Sequence, residues 1–194
     1  MTAPDQIALH ERILEEATRL FVSHGYHGIS MREIAEAVGV SKAGLYYHFK
    51  DKEDLFLAIL AANLDAIQRI VQESRQERTT RKRIERMVRG LFAQTPEQRA
   101  IIRLATQEIA HVGQAARATF GSIYQEKFIG QIEAMLSDGI ARGELRELDA
   151  RLATWLLLGM LYPFFNPAHE REDGPRETAI TLILTTFFDG LSRA

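Results

Sequence analysis

A segment near the N-terminus, SKAGLYYHFKDK at positions 41–52, carries the side chains best suited to binding phosphate. Its hydrogen-bond donors and cations are Ser41, Lys42, Tyr46, Tyr47, His48, Lys50 and Lys52. Basic side chains neutralise phosphate oxygens, and phenol hydroxyls donate hydrogen bonds to them. Ala43 and Gly44 lie among these residues, and side chains this small let a backbone approach DNA closely. The segment therefore indicates a helix that enters a DNA groove.

Elsewhere the polar residues form no pattern typical of catalysis or metal binding. Cysteine is absent, which excludes thiol nucleophiles, disulfides and thiolate metal sites. The six histidines are scattered at His10, His24, His27, His48, His111 and His169. His24 and His27 flank Gly25, which favours a chain reversal over a metal site. We expect no enzyme activity, no metal and no cofactor; a catalytic site on a helical scaffold is the rival interpretation.

Two short helices joined by a tight turn position the phosphate-binding segment. Ser30 and Glu33 form an S-x-x-E capping box, which begins the first of these helices, and Gly39 ends it. Ser41 caps the second helix. The side chains expected to face inward are Ile34, Ala35, Val38, Leu45 and Phe49. This order is the layout of a helix-turn-helix, whose second helix lies in the major groove of DNA.

The run ILEEATRLFVSHGYHGISMREIAEAVGVSKAGLYYHFKDKEDLFLAIL, residues 13–60, resembles the DNA-binding domain of the TetR family of bacterial transcriptional regulators. The signature LFxxxGYxxxSxxxIAxxxGVSxxxLYYHFxxKxxL is present without a gap. The resemblance implies phosphate or groove contacts for Ser30, Lys42, Tyr46, Tyr47, His48 and Lys52. It also implies that Ala43 and Gly44 lie near base edges. Because both are small, base recognition would rest on Arg32, Lys42 and DNA shape.

Helical periodicity continues through the rest of the chain, so we predict an all-α fold of about nine helices. The predicted helices after the helix-turn-helix cover residues 52–75, a segment resuming at Ile84, a segment capped by Thr95, and residues 114–142, 149–162 and 176–191. We predict a helix-turn-helix domain at residues 1–51 and a helical ligand-binding and dimerisation domain at residues 52–194. The helix that begins at Lys52 links them.

The last two predicted helices are apolar on more than one side, which indicates a surface buried in a second subunit. The resemblance implies dimerisation through these helices, and the expected interface residues are Leu152, Trp155, Leu156, Gly159, Ile180, Ile183, Leu184, Phe187 and Leu191. A symmetric pair of subunits would bind a palindromic operator. The alternative is that both helices are central in a monomeric bundle.

The resemblance also implies a cavity for a small effector in the C-terminal domain. Phe120, Tyr124 and Phe128 recur at intervals of four residues and form an aromatic stripe. The expected cavity residues are Met87, Leu91, Leu104, Gln107, His111, Phe120, Tyr124, Phe128, Trp155 and Tyr162. Such a lining would favour a hydrophobic or aromatic molecule. Each of these side chains could instead belong to the core.

Composition limits how DNA would be bound and where the protein acts. The formal net charge is −2, and the first 50 residues contain five basic and six acidic residues, so affinity must come from a few placed cations. The basic residues between Arg75 and Arg89 favour a solvated face, with attraction to DNA or to an acidic ligand group as the alternative. The N-terminus has no export signal, and the most apolar stretch is too short to span a membrane. We expect a cytoplasmic protein.

These observations predict a homodimeric DNA-binding regulator, more specifically a repressor released from its operator by a small molecule. Activation of transcription is also compatible with the sequence. Whether such a regulator represses or activates depends on the position of its operator and on which conformer binds the ligand. A ligand-binding helical protein without specific DNA binding is the principal alternative.

Overall fold

The computed structural model describes residues 3–166 and 175–191, and within these ranges it contains nine α-helices and no strand. The helices are α1 (Ala3–His24), α2 (Met31–Val38), α3 (Lys42–His48), α4 (Lys52–Ser74), α5 (Thr80–Ala93), α6 (Pro96–Glu108), α7 (Gln114–Tyr124 continued by Gly130–Ala141), α8 (Ala150–Leu161) and α9 (Pro175–Leu191). Short 3₁₀ turns follow α6 and α8, at Ile109–His111 and Tyr162–Phe165. The predicted all-α fold is confirmed.

Local side chains begin and end the early helices as the sequence predicts. The hydroxyl of Ser30 accepts from the backbone N–H of Glu33, whose carboxylate accepts in return from the Ser30 N–H, which completes the capping box. Gly39 has φ 77°, a left-handed conformation that favours glycine, and it ends α2. Thr95 and Gln98 form a second capping box at the start of α6.

A π-helical turn, Gln125–Ile129, interrupts α7 and was not predicted. The helix otherwise covers residues 114–141, close to the predicted 114–142, and Gly143 ends it with φ 71°. The charged segment HEREDGPRE, residues 169–177, was expected as a loop. Residues 169–174 lie outside the described residues, and residues 175–177 form the first turn of α9 instead.

The chain divides into two compact units that do not follow a single cut in the sequence. Unit 1 comprises Met1–Asn63 and Ala100–Gly121, and unit 2 comprises Leu64–Arg99 and Ser122–Ala194. As a result, α4, α6 and α7 each contribute residues to both units. The predicted domain division at residues 51 and 52 is not tested by this grouping and stays a prediction.

Each unit has its own apolar core. In unit 1 the side chains that are fully buried include Ile13, Ala17, Phe21, Ile34, Leu45, Leu55 and Phe56. In unit 2 they include Val71, Ile84, Met87, Val88, Ile132, Leu136, Leu157 and Leu161. Glycine allows a close approach of α5 and α7, because a Cβ atom at Gly139 would lie 2.5 Å from Thr80 Oγ1. No helix in the described ranges is long and apolar enough to cross a membrane.

Candidate DNA interface and ligand-binding region

Helix α3 presents its polar side chains on the side opposite its core contacts. Leu45 and Phe49 are buried as predicted, whereas 42% of Tyr46 and 74% of Tyr47 is exposed. The hydroxyl of Ser41 caps α3 by accepting from the Gly44 N–H at 3.0 Å. The remaining backbone N–H groups of the first turn are therefore oriented along the helix axis, where an anion is favoured.

The eleven residues expected to contact DNA all lie in unit 1, and most are exposed. Exposed members are Ser30, Arg32, Ser41, Lys42, Ala43, Tyr46, Tyr47 and Lys50, and the half-buried members are Gly44, His48 and Lys52. His48 packs against the imidazole of His10, with ring centroids 5.9 Å apart. The structure brings these residues together, and their roles as DNA contacts stay a prediction.

Two of the expected contacts are engaged by neighbouring carboxylates. The Ser30 hydroxyl donates to Glu33 Oε2 at 2.6 Å, in addition to its capping role. Arg32 lies 3.4 Å from Glu36 across one helical turn. The pKa of Glu33 is lowered, first by the hydroxyl of Ser30 and then by its backbone N–H. A phosphate at this position would therefore meet a nearby negative charge.

Lys52 combines a cation with an aromatic partner. Its Nζ atom lies 4.7 Å from the centroid of the Tyr26 ring, a cation–π arrangement. Burial lowers the pKa of this lysine, and the carboxylate of Glu33 partly offsets that effect. Tyr26 is itself buried, so Lys52 is held against a fixed ring while the residue as a whole stays half-exposed.

Several contacts in unit 1 were not predicted from the sequence. Arg12 donates to the backbone oxygen of Val38 at the end of α2. The backbone N–H of Gly113, just before α7, donates to a carboxylate oxygen of Glu53 in the first turn of α4. The rings of His27 and His111 meet edge to face, 4.8 Å apart. Such long-range contacts have no local sequence signal.

The ten residues expected to line the cavity are divided between the two units. Leu104, Gln107, His111 and Phe120 lie in unit 1; Met87, Leu91, Tyr124, Phe128, Trp155 and Tyr162 lie in unit 2. Gln107 and His111 are exposed, and Met87, Leu91 and Phe128 are buried. In unit 2 the Tyr124 and Tyr162 hydroxyls are hydrogen-bonded to each other. Whether these side chains contact a ligand stays a prediction.

Helix α8 has two apolar faces. One face, with Ala153, Leu157 and Leu161, is buried in unit 2. The other exposes 62% of Leu152, 45% of Trp155 and 64% of Leu156. Gly159 follows on the exposed face, and a Cβ atom there would meet nothing within 4 Å. Trp155, which the sequence assigns to both the cavity and the interface, shares the exposed face with Leu152 and Leu156.

Helix α9 differs from α8 in what it leaves exposed. Its apolar residues Ile180, Ile183, Leu184 and Phe187 are buried in unit 2, although the sequence assigned them to the interface. Its exposed side carries threonines around Leu182, of which 65% is exposed. Leu191 ends the helix, and its side chain lies outside the described residues. The location of a subunit interface stays a prediction.

Several of the basic residues of α5 are paired with acids. Arg83 lies 2.6 Å from Asp138, and Arg86 lies 2.9 Å from Glu77. Arg89 pairs with both Glu85 and Glu177. These ion pairs neutralise part of the basic face. Among the described residues, no group of three or more His, Asp or Glu side chains could hold a metal ion.

Two family models match this chain, one over its N-terminal part and one over its C-terminal part. Residues 13–59 match "Bacterial regulatory proteins, tetR family", and residues 77–164 match "Tetracyclin repressor-like, C-terminal domain". The first match runs from within α1 into α4, and the second covers α5 to α8. The chain belongs to the TetR family.

Similar proteins match different fractions of this chain. The transcriptional repressor AcnR of Corynebacterium diphtheriae is 41% identical over 64 residues, which are 33% of this chain and about a third (34%) of that protein. The fatty acid metabolism regulator protein of Bacillus subtilis is 22% identical over 77% of this chain and 78% of its own length. The structure of AibR in complex with isovaleryl coenzyme A and operator DNA has a TM-score of 0.79, with 25% identity over 92% of this chain and 97% of AibR.

Proposed function

We propose that this TetR-family protein is a homodimeric transcriptional repressor that binds a palindromic operator and releases it when an acyl-CoA enters unit 2. The observation that carries the proposal is the exposed face of α3, where Lys42, Tyr46 and Tyr47 project from a capped helix. We assign DNA binding to residues 1–51, with α4 as the link, and no catalytic activity. Because DNA is the partner, the site of action would be the cytoplasm.

The exposed face of α8 supports the dimer. Leu152, Trp155 and Leu156 form an apolar patch that a monomer would leave in water, and Gly159 beside them leaves room for a second helix. We assign the two-fold axis to this patch, extended by Leu182 of α9. A dimer presents two copies of α3, so a site of two half-sites gains affinity over either half-site alone.

The relatives and the aromatic residues of unit 2 support an acyl-CoA as the effector. AibR is described with isovaleryl coenzyme A, and the Bacillus subtilis relative is described as a regulator of fatty acid metabolism. In unit 2 the Phe92 and Phe165 rings are stacked 5.0 Å apart, next to the Tyr124–Tyr162 pair. An acyl-CoA would lower DNA affinity only as far as it prefers the conformer that binds DNA poorly.

The test measures binding of the full chain to DNA that flanks its own gene. Fluorescence anisotropy should show specific binding to this DNA. The DNA affinity should fall when isovaleryl-CoA or palmitoyl-CoA is added and should not change when free CoA is added. Tyr47→Ala should weaken binding to all sequences, whereas Thr119→Ala, an exposed change on α7, serves as the control. No specific binding to this DNA or in a random-site selection would refute the repressor. Acyl-CoA binding without DNA binding would support the alternative, a helical ligand-binding protein.

A further inference from the structure

Two tyrosine hydroxyls meet inside unit 2, although they belong to segments 38 residues apart. Tyr124 ends the first α-helical part of α7, and Tyr162 follows α8 directly. The ring of Phe128 lies 5.7 Å from that of Tyr124, and the ring of Phe165 lies 6.3 Å from that of Tyr162. The hydroxyl pair is therefore a polar point in aromatic surroundings.

Both phenols stay protonated at physiological pH. Burial raises the pKa of Tyr124 and that of Tyr162 above the ordinary value of 10. Two neutral hydroxyls at one point suit a ligand oxygen that accepts a hydrogen bond from each. In aromatic surroundings a neutral carbonyl enters at lower cost than a carboxylate, whose charge must be desolvated. The chemistry of the pair therefore favours a thioester or ester carbonyl.

The π-helical turn begins at the residue after Tyr124. The N–H of Gly130 donates to the backbone oxygen of Gln125, five residues earlier, and the side-chain amide of Gln131 donates to the Glu126 oxygen at 3.0 Å. A Cβ atom at Gly130 would lie 3.0 Å from the Gln125 oxygen, so a larger residue would crowd that oxygen in the π turn. A regular α-helix has no such contact, so a continuous α-helix would be a distinct arrangement of this segment.

We propose that the carbonyl oxygen of an acyl thioester enters between the hydroxyls of Tyr124 and Tyr162, and that the π-helical turn becomes α-helical when they separate. The inference rests on the proposed function, for which it names the recognised group and the responding segment. Removing the π turn changes the register of α7 by about one residue, roughly 100° of rotation and 1.5 Å of rise.

This change of register could reach the helix-turn-helix along α7 and through one hydrogen bond. The first part of α7 contributes residues 114–121 to unit 1, and Gly113 immediately before it donates to Glu53. Glu53 lies in the first turn of α4, two residues after Asp51 and five after the last residue of α3. The start of α4 is thus hydrogen-bonded to the segment that a register change in α7 would move.

The first arm of the test measures ligand binding to the full chain by calorimetry, with isovaleryl-CoA and palmitoyl-CoA as probes and free CoA and isovalerate as controls. Tyr124→Phe and Tyr162→Phe should each weaken acyl-CoA binding by about tenfold, the value of one hydrogen bond, and leave the affinity for free CoA unchanged. If both variants bind the acyl-CoAs as tightly as the wild type, the hydroxyl pair is not the recognition point. If the wild type binds neither acyl-CoA, the proposed effector class fails together with this inference.

The second arm tests the π turn by changing the helix itself. Gly130→Ala should favour the α-helical arrangement, so operator affinity should fall at least fivefold and acyl-CoA affinity should rise by a similar factor, as reciprocal coupling requires. Gly121→Ala is the matched control on the same helix, because a Cβ atom there meets nothing within 4 Å, and both affinities should stay at wild-type values. Circular dichroism should show both variants folded. Equal behaviour of the two alanine variants would remove the π turn from the coupling, even with the repressor function intact.

Discussion

The helix-turn-helix and the helices of unit 2 are held by contacts of different range. In the former, the caps at Ser30, Ser41 and Asp51 each join groups three residues apart. In unit 2, Tyr124 bonds Tyr162 across 38 residues, and the Thr80 N–H bonds Glu144 across 64. Caps between sequence neighbours occur in both regions, as Thr95 and Gln98 show for unit 2, but unit 2 also depends on contacts between residues far apart in the sequence.

This difference matches the tasks that we assign to the two regions. A helix-turn-helix must present the same short helix to a regular DNA backbone, so local caps and a small core suffice. A ligand-responsive region must have two arrangements of similar free energy, and long-range contacts that are made in one and lost in the other provide them. Substitutions in the two regions should therefore have different effects on stability, on dimer assembly and on coupling between ligand and DNA.

The largest expected effect is on the small core of the helix-turn-helix. Leu45→Ala removes a fully buried side chain and should lower the free energy of unfolding by about 2–5 kcal/mol, with loss of DNA binding. Urea denaturation followed by circular dichroism measures the loss. Leu152→Ala, a change at an exposed leucine of α8, should cost less than about 0.5 kcal/mol in the monomer at high dilution. Equal losses would mean that the two leucines have similar surroundings.

Next in size is the effect of charge on the exposed face of α8. Leu156→Asp should shift the protein to a monomer in sedimentation velocity, because a carboxylate would be buried opposite its own symmetry mate. Operator affinity should then fall about a hundredfold or more through loss of the second half-site. Ala134→Asp, at an exposed position of α7, is the control and should leave the dimer intact. A dimeric Leu156→Asp would relocate the interface.

A smaller effect separates two lysines that are both expected to contact phosphate. Lys50→Ala and Lys52→Ala should each reduce the slope of log K against log salt concentration by about 0.9. Only Lys52 stands over the Tyr26 ring, so only its replacement should also lower the free energy of unfolding, by about 0.5–1 kcal/mol. Anisotropy titrations at several salt concentrations give the slopes. An unchanged slope for Lys52→Ala would limit that residue to a structural role.

The sequence predicts features that depend on residues a few positions apart, and it misses the π turn of α7. The caps at Ser30 and Ser41 and the buried Leu45 and Phe49 follow from local spacing, and the structure has all of them. The π turn was missed, since five residues of a π turn have the same composition as an α-helix. Gly130, in the middle of a predicted helix, was its only local signal.

The expected interface shows a second limit of sequence patterns. Ile183 and Leu184 of α9 satisfy the same apolar pattern as Leu152 and Leu156 of α8, yet the former are buried in unit 2 and the latter are exposed. Periodicity identifies an apolar face but not the element that covers it. The residues of the expected cavity have the same ambiguity, because the spacing of a buried phenylalanine in the sequence is the same whether it lies in the core or in the wall of a pocket.

The smallest predicted effect concerns the pH dependence of the α2 cap. The Ser30 hydroxyl and N–H lower the pKa of Glu33 below its ordinary value of 4.5. Because the pKa is lower in the folded state than in the unfolded state, this contribution is fully present above the unfolded value and is lost as the pH falls through the folded one. The difference in unfolding free energy between wild type and Glu33→Gln should therefore shrink as the pH is lowered from about 6 to about 3.

Ser30→Ala sharpens this prediction because it removes the larger of the two causes and keeps the other. The backbone N–H of residue 30 still donates to Glu33 at 2.9 Å, so the pH dependence should be reduced but not abolished. Thermal unfolding of the three proteins at each pH gives the comparison. A difference between wild type and Glu33→Gln that does not change with pH would mean that the carboxylate has the same pKa in the folded and unfolded chain. The cap would then stabilise α2 through its hydrogen-bond geometry alone. The charge of the Glu33 carboxylate near Ser30 could then change when a phosphate approaches, without a cost to the stability of α2.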